Sequence, residues 1–315
     1  MTSADRTSGG AEALAAPNAR RILAMGLMVA SSTAISFGGL IMRNIEHADA
    51  WQINLYRSVA LIVAVSMIIV SQYRGRAISY VLNIGWAGLG GGAMLAIAGI
   101  AFLQALTHTT VANTLFTLSA IPFITAAIAR VVLKERLESI TFVTMIGAAI
   151  GILVMVAGGI GAGSLFGNAM ALATAFFFSG FAVVVRRNRG IDMLPTLLVS
   201  GAIIAAVALV LKFGDLEISP TDLFLCVLWG GVLSGFANAL FIVASRHLVA
   251  AEVTLFMLLE FALGPLWVWL FVGETPTHWT LTGGGLVLTS VMLRAMLELR
   301  RTGRRLRRGR LGGPS

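Results

Sequence analysis

Two ionisable side chains, Arg57 and Glu260, lie deep inside apolar segments that are long enough to span a membrane. Arg57 stands about six residues into the second segment and Glu260 about eight residues into the ninth. At ~1.5 Å per helical residue both lie roughly 9–12 Å below the membrane surface. A charge at such depth costs at least ~2.5–3.5 kcal/mol on insertion scales, so residues of this kind usually face the interior of a helix bundle.

The chemistry open to these two side chains is ionic binding and proton exchange. Arg57 either holds an anionic group of a substrate, or it snorkels outward or forms a fixed structural pair. Glu260 either binds a proton or a cationic group, or it is the permanent partner of Arg57 or a neutral acid bonded to the backbone. Burial favours the protonated form of a carboxyl group, which suits Glu260 to proton exchange near neutral pH.

Amides and hydroxyls extend the polar faces around these positions. Asn54 precedes Arg57 by about one helical turn, and Thr117 follows Asn113 at a similar spacing on the fourth segment. Each polar residue either contacts the substrate or forms a hydrogen bond between helices. The predicted substrate-binding or coupling residues are Arg57, Glu260, Asn54, Asn113, Thr117, Gln104 and Asn238.

Two prolines and two glutamates mark predicted hinges. Pro122 is expected to break the fourth segment and Pro265 the ninth, because proline removes a backbone hydrogen bond. The resulting kinks either let the two halves of the chain rock or form static bends. Glu135 and Glu274 end the same two segments, where a carboxylate opposes the helix dipole. We expect each to have a compensating partner, such as the free N–H groups of the next helix.

The composition places the chain among integral membrane proteins. Apolar residues make up 57% of the sequence, charged residues only 12%, and the mean hydropathy is +0.89. A soluble domain of this length carries about twice that charge. The ten predicted spans are roughly 22–42, 51–70, 83–105, 110–130, 140–158, 165–185, 193–211, 222–244, 252–272 and 279–297.

The second half of the chain repeats the first. Residues 88–141 align with residues 227–280, and the pairs include Gly91 with Gly230, His108 with His247, Glu135 with Glu274 and Thr141 with Thr280. A repeat of five spans reverses direction, so the second copy is predicted to be inverted, with a shared site at the bilayer midplane. The predicted fold is therefore all-α and membrane-integral, with ten transmembrane helices as two inverted five-helix repeats.

Charges predict the orientation and the segments at each end. The predicted parts are a polar N-terminus (1–21), two repeats (22–158 and 165–297) and an Arg-rich tail (298–315). Lys and Arg concentrate in the loops on the same side as both termini, which predicts that these termini are cytoplasmic. The tail suits anionic lipid rather than nucleic acid, because it lacks interleaved aromatic residues.

The sequence offers little for catalysis or for a bound cofactor. Cys226 is the single cysteine, and the histidines lack metal-ligand spacing. No phosphate-binding G-x-x-x-x-G-K-[ST] motif occurs, so ATP use is not expected. We predict no enzyme activity, no cofactor and no metal.

The repeat and its motifs together resemble the drug/metabolite transporter superfamily, specifically its EamA-type branch. The matching positions are Glu135, Gly273-Glu274, Pro122, Leu259-Glu260-Phe261 and Arg57, within residues 22–297. In the ninth segment the family often has proline directly after the glutamate, whereas here Phe261 follows and Pro265 comes later. The resemblance implies a transporter, in a family whose substrates include amino acids, nucleobases and vitamins.

Together these features predict a secondary active transporter of the cell inner membrane. It would move a small polar or amphipathic metabolite by alternating access, coupled to protons, with export favoured over uptake. The alternatives are an uptake carrier of the same fold, a membrane-bound enzyme, or a non-transporting membrane partner protein. The expected partners are the solute, a proton and the lipid bilayer, without nucleic acid, and a homodimer is compatible with these features.

Overall fold

The computed structural model describes residues 22–134, 139–159, 164–188, 193–245, 248 and 250–311, and within them every regular element is a helix. A short helix, Ala77–Leu82, lies between the second and third main helices. We number the main helices α1 Ile22–Arg43, α2 Ala50–Tyr73, α3 Gly85–His108, α4 Val111–Val132, α5 Ser139–Gly159, α6 Leu165–Arg187, α7 Thr196–Leu211, α8 (Pro220–Val227, Leu228–Ala237 and Asn238–Ser245), α9 Ala250–Val272 and α10 His278–Leu311.

Length and hydropathy identify these helices as membrane spans. In the described part of the chain, 9 helices are long and apolar enough to cross a bilayer. The helix α7 is also apolar, but with 16 residues it is shorter than these nine helices. A multi-pass membrane protein is thus confirmed, and nine of the ten predicted spans are supported.

The last helix, α10, extends into the Arg-rich segment. It continues from His278 to Leu311, through most of the tail predicted from residue 298. Arginine and leucine are both strong helix formers, so the tail extends the helix beyond its apolar part.

Helices from equivalent places in the two repeats pack against each other. The second helices of the two repeats, α2 and α7, pack against each other, and so do the fifth helices, α5 and α10. The contact between α3 and α7 has its equivalent in the contact between α8 and α2. Small residues allow this closeness: a Cβ on Gly151 of α5 would lie 2.5 Å from the carbonyl oxygen of Gly283 in α10. The inverted relation of the two halves stays a prediction.

The two prolines behave differently. The helix α4 is interrupted at Ser119–Ala120 and restarts at Ile121 with Pro122 in its first turn, as predicted. The predicted break at Pro265 is wrong, because α9 runs through this residue without interruption. Neighbouring helices support α9 at this point, since a Cβ on Gly264 would overlap Leu115 of α4 and lie 3.5 Å from the carbonyl oxygen of Ser36 in α1. Proline is tolerated inside a membrane helix that is held in this way.

Candidate functional site

A cavity of about 270 Å³ lies in the middle of the bundle, between helices of both repeats. This volume is just below the ~300–1,000 Å³ that is usual for small-molecule sites. Its walls are mainly apolar, which also fits such a site. Residues of α1 to α4 and α6 to α9 line it, among them Ile35, Ser36, Arg57, Leu95, Gly99, Phe102, Leu115, Thr174, Phe178, Ser200, Trp229, Ser234, Asn238, Met257, Glu260 and Phe261.

Arg57 of α2 lies in this cavity beside an aromatic ring. Its guanidinium carbon sits over Trp229 of α8, 5.1 Å from the ring centroid, at a distance where a cation and an aromatic face attract. One terminal nitrogen donates a long hydrogen bond of 3.4 Å to Asn54 Oδ1. The buried Nε has no hydrogen-bond partner, and among the described residues no ion pair joins Arg57 to a carboxylate.

Asn54 and Ser58 form the buried side of the same polar stripe on α2. Asn54 is 0% exposed and Ser58 is 1% exposed. Neither the Nδ2 of Asn54 nor the Oγ of Ser58 has a partner in the described structure. Buried polar groups are usually satisfied, so this cluster of unpaired atoms around Arg57 is unusual.

Glu260 of α9 lines the same cavity as Arg57. Within the described residues it forms no ion pair, so the alternative of a permanent Arg57–Glu260 pair is not realised in this structure. The first repeat thus contributes a cation to the cavity and the second repeat an acid.

The other predicted residues divide between the cavity and the helix contacts. Asn238 lines the cavity, although its amide donates to the carbonyl of Ser234 at 3.0 Å. Asn113, Thr117 and Gln104 do not line it. The Asn113 amide donates to Asn168 Oδ1 and the Thr117 hydroxyl to the Asn113 carbonyl, so both hydrogen-bond to protein atoms.

Trp229 is the cavity residue that the sequence reasoning missed. It is 4% exposed and lies in Leu228–Ala237, a π-helical part of α8. The other tryptophans fall nearer the ends of predicted spans, where indoles favour the interface. Trp229 lies seven residues beyond the start of its predicted span, deeper than the other tryptophans, and this depth was the available signal.

Glu274 takes part in a cluster that closes one end of the bundle, which we call the Arg43 cluster. One carboxylate oxygen accepts from Arg43 Nε at 2.6 Å and the other from the backbone N–H of Val111 at 2.7 Å. Arg43 also donates to the carbonyls of Leu106 and Thr109, each at 2.9 Å.

The Arg43 cluster supplies a compensating partner for Glu274, although not from the helix named as an example. That example was the following helix, α10. Instead Glu274 binds α1 and the first N–H of α4, because a helix N-terminus attracts an anion wherever it lies in the chain. The cluster therefore joins the two repeats. Glu135, its predicted equivalent, lies outside the described residues.

Two further contacts hold the same end together. The Asp222 carboxylate accepts the backbone N–H groups of Glu46, His47 and Ala48, which ties the α1–α2 loop to the start of α8. Lys212, just after α7, pairs with Asp49 and with Asp215. These hydrogen bonds, first to Asp49 and then to Asp215, raise the pKa of Lys212.

Comparison with known proteins agrees with this architecture. A family model described as the EamA-like transporter family matches residues 22–157 and 165–296. The chain belongs to the EamA-like transporter family. The EamA-like match covers both repeats, which confirms the predicted resemblance and supports a membrane transporter of the drug/metabolite type rather than an enzyme.

Sequence and structure searches add the fold alone. No curated protein matches this EamA-like chain. One solved crystal structure is similar to this chain with a TM-score of 0.63 and 16% sequence identity. The match covers 88% of this chain and 98% of the chain in that structure. At this identity the similarity concerns the EamA-like fold and not the solute.

Proposed function

We propose that the protein is a secondary active carrier that moves a small metabolite through the central cavity by alternating access. The observation that carries this proposal is the cavity itself, in which Arg57 from one repeat and Glu260 from the other form no ion pair with any described residue. A site shared by two repeats suits a carrier, because moving one repeat against the other exposes the site to either side.

Glu260 is the proposed proton-coupling residue. Its carboxyl group lies on the largely apolar cavity that both repeats line, and a carboxyl group at membrane depth can bind and release a proton. Protonation on one side of the membrane and release on the other would then accompany each transport cycle. A proton moved across a potential contributes ~2.3 kcal/mol per 100 mV, enough to drive a substantial solute gradient.

The Arg43 cluster is the proposed gate at one end of the cavity. Alternating access requires this end to open, so the contacts of Glu274 to Arg43 and Val111 must break once in each cycle. Under the predicted orientation, with cytoplasmic termini in the cell inner membrane, this end faces outward. Export remains favoured over uptake through family resemblance rather than through any single residue.

The test is metabolite profiling followed by flux measurement. Cells that express the wild type, Glu260→Gln or Glu252→Gln at matched membrane levels are profiled inside and in the medium. Glu252 is the control, because it is an acid on the same helix that does not line the cavity. We expect one solute to redistribute with the wild type and with Glu252→Gln, but not with Glu260→Gln.

Purified protein in liposomes then tests the coupling. A pH gradient should drive uptake of that solute by the wild type, and Glu260→Gln should retain exchange while losing the response to the gradient. Gradient-driven uptake by Glu260→Gln at the wild-type rate would remove this residue from the coupling mechanism.

A further inference from the structure

The guanidinium of Arg57 has donors without acceptors. It carries several N–H groups in one plane, yet among the described residues its hydrogen bonding is limited to the 3.4 Å contact with Asn54. Its Nε and the adjacent Nδ2 of Asn54 are buried and unpartnered. Trp229 covers a face of the guanidinium, which leaves the in-plane donors unsatisfied.

An acceptor is therefore missing from the cavity wall. Leaving a buried charge and its N–H groups unpaired is costly, and no described carboxylate compensates it. The two terminal nitrogens, which unlike Nε are not among the fully buried unpartnered atoms, form an edge that matches two oxygens of one planar group. A carboxylate fits this edge in the way that an arginine–carboxylate pair does elsewhere.

We infer that Arg57 is the receptor for a carboxylate group of the transported molecule. This inference rests on the proposed carrier function and names its substrate class, a small monocarboxylate with an apolar or aromatic body. The body would occupy the part of the cavity lined by Phe102, Phe178 and Phe261.

The charges around the cavity favour a single carboxylate over a phosphate. Among the described residues that line it, Arg57 is the one cation, while a phosphate dianion needs more positive charge. Glu260 lies on the same cavity and would repel a second negative charge when ionised. The same acid would attract the ammonium group of an amino-acid-like substrate, so zwitterions belong to the class.

The cavity wall comes close to the end of the guanidinium. Gly99 of α3 lines the cavity, and the position that its Cβ would take lies 3.7 Å from a terminal nitrogen of Arg57. The same position lies 2.9 Å from Ile204 Cδ1, so the glycine is also required by close packing of α3 against α7.

The test is ligand-observed ¹⁹F NMR on the purified full-length protein. The probes are 4-fluorophenylacetate and its neutral amide, 4-fluorophenylacetamide, which have nearly the same shape and differ in charge. We expect saturation transfer to the carboxylate and little to the amide. Arg57→Gln should weaken carboxylate binding roughly 10- to 100-fold, the range for lost charged hydrogen bonds. Arg57→Lys should restore part of it.

Each other outcome overturns the inference. The inference is refuted if saturation transfer is equal for the two probes, or if Arg57→Gln still discriminates between them. It is also refuted if the carboxylate shows no transfer at millimolar concentration. Each variant must elute as a folded protein for these comparisons. The carrier function is judged separately by flux. Carboxylate binding without any solute flux would refute the carrier function but support the carboxylate site. Solute flux without a preference for carboxylates would support the carrier function but refute the carboxylate site.

Discussion

Replacing Glu274 with glutamine should open the end of the bundle that the Arg43 cluster closes. The amide keeps the size of the carboxylate but has a single acceptor oxygen. Arg43 Nε at 2.6 Å and Val111 N at 2.7 Å donate to different oxygens of Glu274, so one contact is lost and the other weakens. These contacts join helices of different repeats, and the proposed alternating access would have to separate them. The substitution should therefore act on the conformational equilibrium more than on the substrate site.

The magnitude follows from the change in acceptors. Hydrogen bonds to a charged group contribute ~1.5–3 kcal/mol and neutral ones ~0.5–1.5 kcal/mol, so the contact that keeps an oxygen loses about 1 kcal/mol and the other is lost completely. The side chains of Arg43 and Glu274 are 23% and 17% exposed, which reduces the loss for their ion pair through solvent screening. A total of roughly 2–3 kcal/mol corresponds to about a 30- to 160-fold shift toward the open form.

Cysteine accessibility measures this shift. The native Cys226 is buried and can be replaced by alanine, and Ile35→Cys places a reporter in the cavity. A membrane-impermeant maleimide, applied from the side where Arg43 lies, should label the reporter about 30- to 160-fold faster in Glu274→Gln.

A matched control lies at the same end. Asp215→Asn removes the ion pair of Lys212 with a carboxylate that is 65% exposed, and exposed pairs contribute little. Labelling should remain at the parental rate in this variant. Equal labelling in Glu274→Gln and Asp215→Asn would refute the assignment of the Arg43 cluster as a gate.

Two further predictions concern packing and the α1–α2 loop. Gly230→Ala should lower stability by ~1–3 kcal/mol, because its Cβ would overlap the backbone of Arg57, whereas Gly231→Ala, with the nearest atom at 3.9 Å, should melt close to the wild type. Asp222→Asn should weaken three backbone contacts to residues 46–48 and accelerate amide exchange there. Unchanged melting of Gly230→Ala, or unchanged exchange in Asp222→Asn, would contradict these readings of the contacts.

The fold was predictable because apolar length and internal repetition are properties of local sequence. Segments of about 20 apolar residues identify spans without any knowledge of their neighbours. Pro122 was predictable as a break for the same reason. Pro265 was not, because the support that keeps α9 continuous comes from Ser36 and Leu115 on other helices.

The candidate site was predictable only at residues whose burial in a membrane is energetically unfavourable whatever their neighbours are. Arg57 and Glu260 stood out because a charge at membrane depth needs an explanation whatever surrounds it. Asn113 and Thr117 looked similar in the sequence, yet their hydrogen bonds go to protein atoms outside the cavity. Amides and hydroxyls can form hydrogen bonds with nearby backbone groups, so their residue type and depth do not indicate whether they face the cavity.

The π-helical part of α8, Leu228–Ala237, holds Arg57 in the central cavity. It places Trp229 against the guanidinium of Arg57 and Gly230 against the Arg57 backbone, so one segment contacts both ends of this residue. It also contributes Ser234 to the cavity wall. π-Helical turns are less stable than α-helix and recur at functional sites. We therefore expect a change of register in Leu228–Ala237 to weaken the proposed carboxylate site, because it would move the aromatic face against which the guanidinium of Arg57 is held.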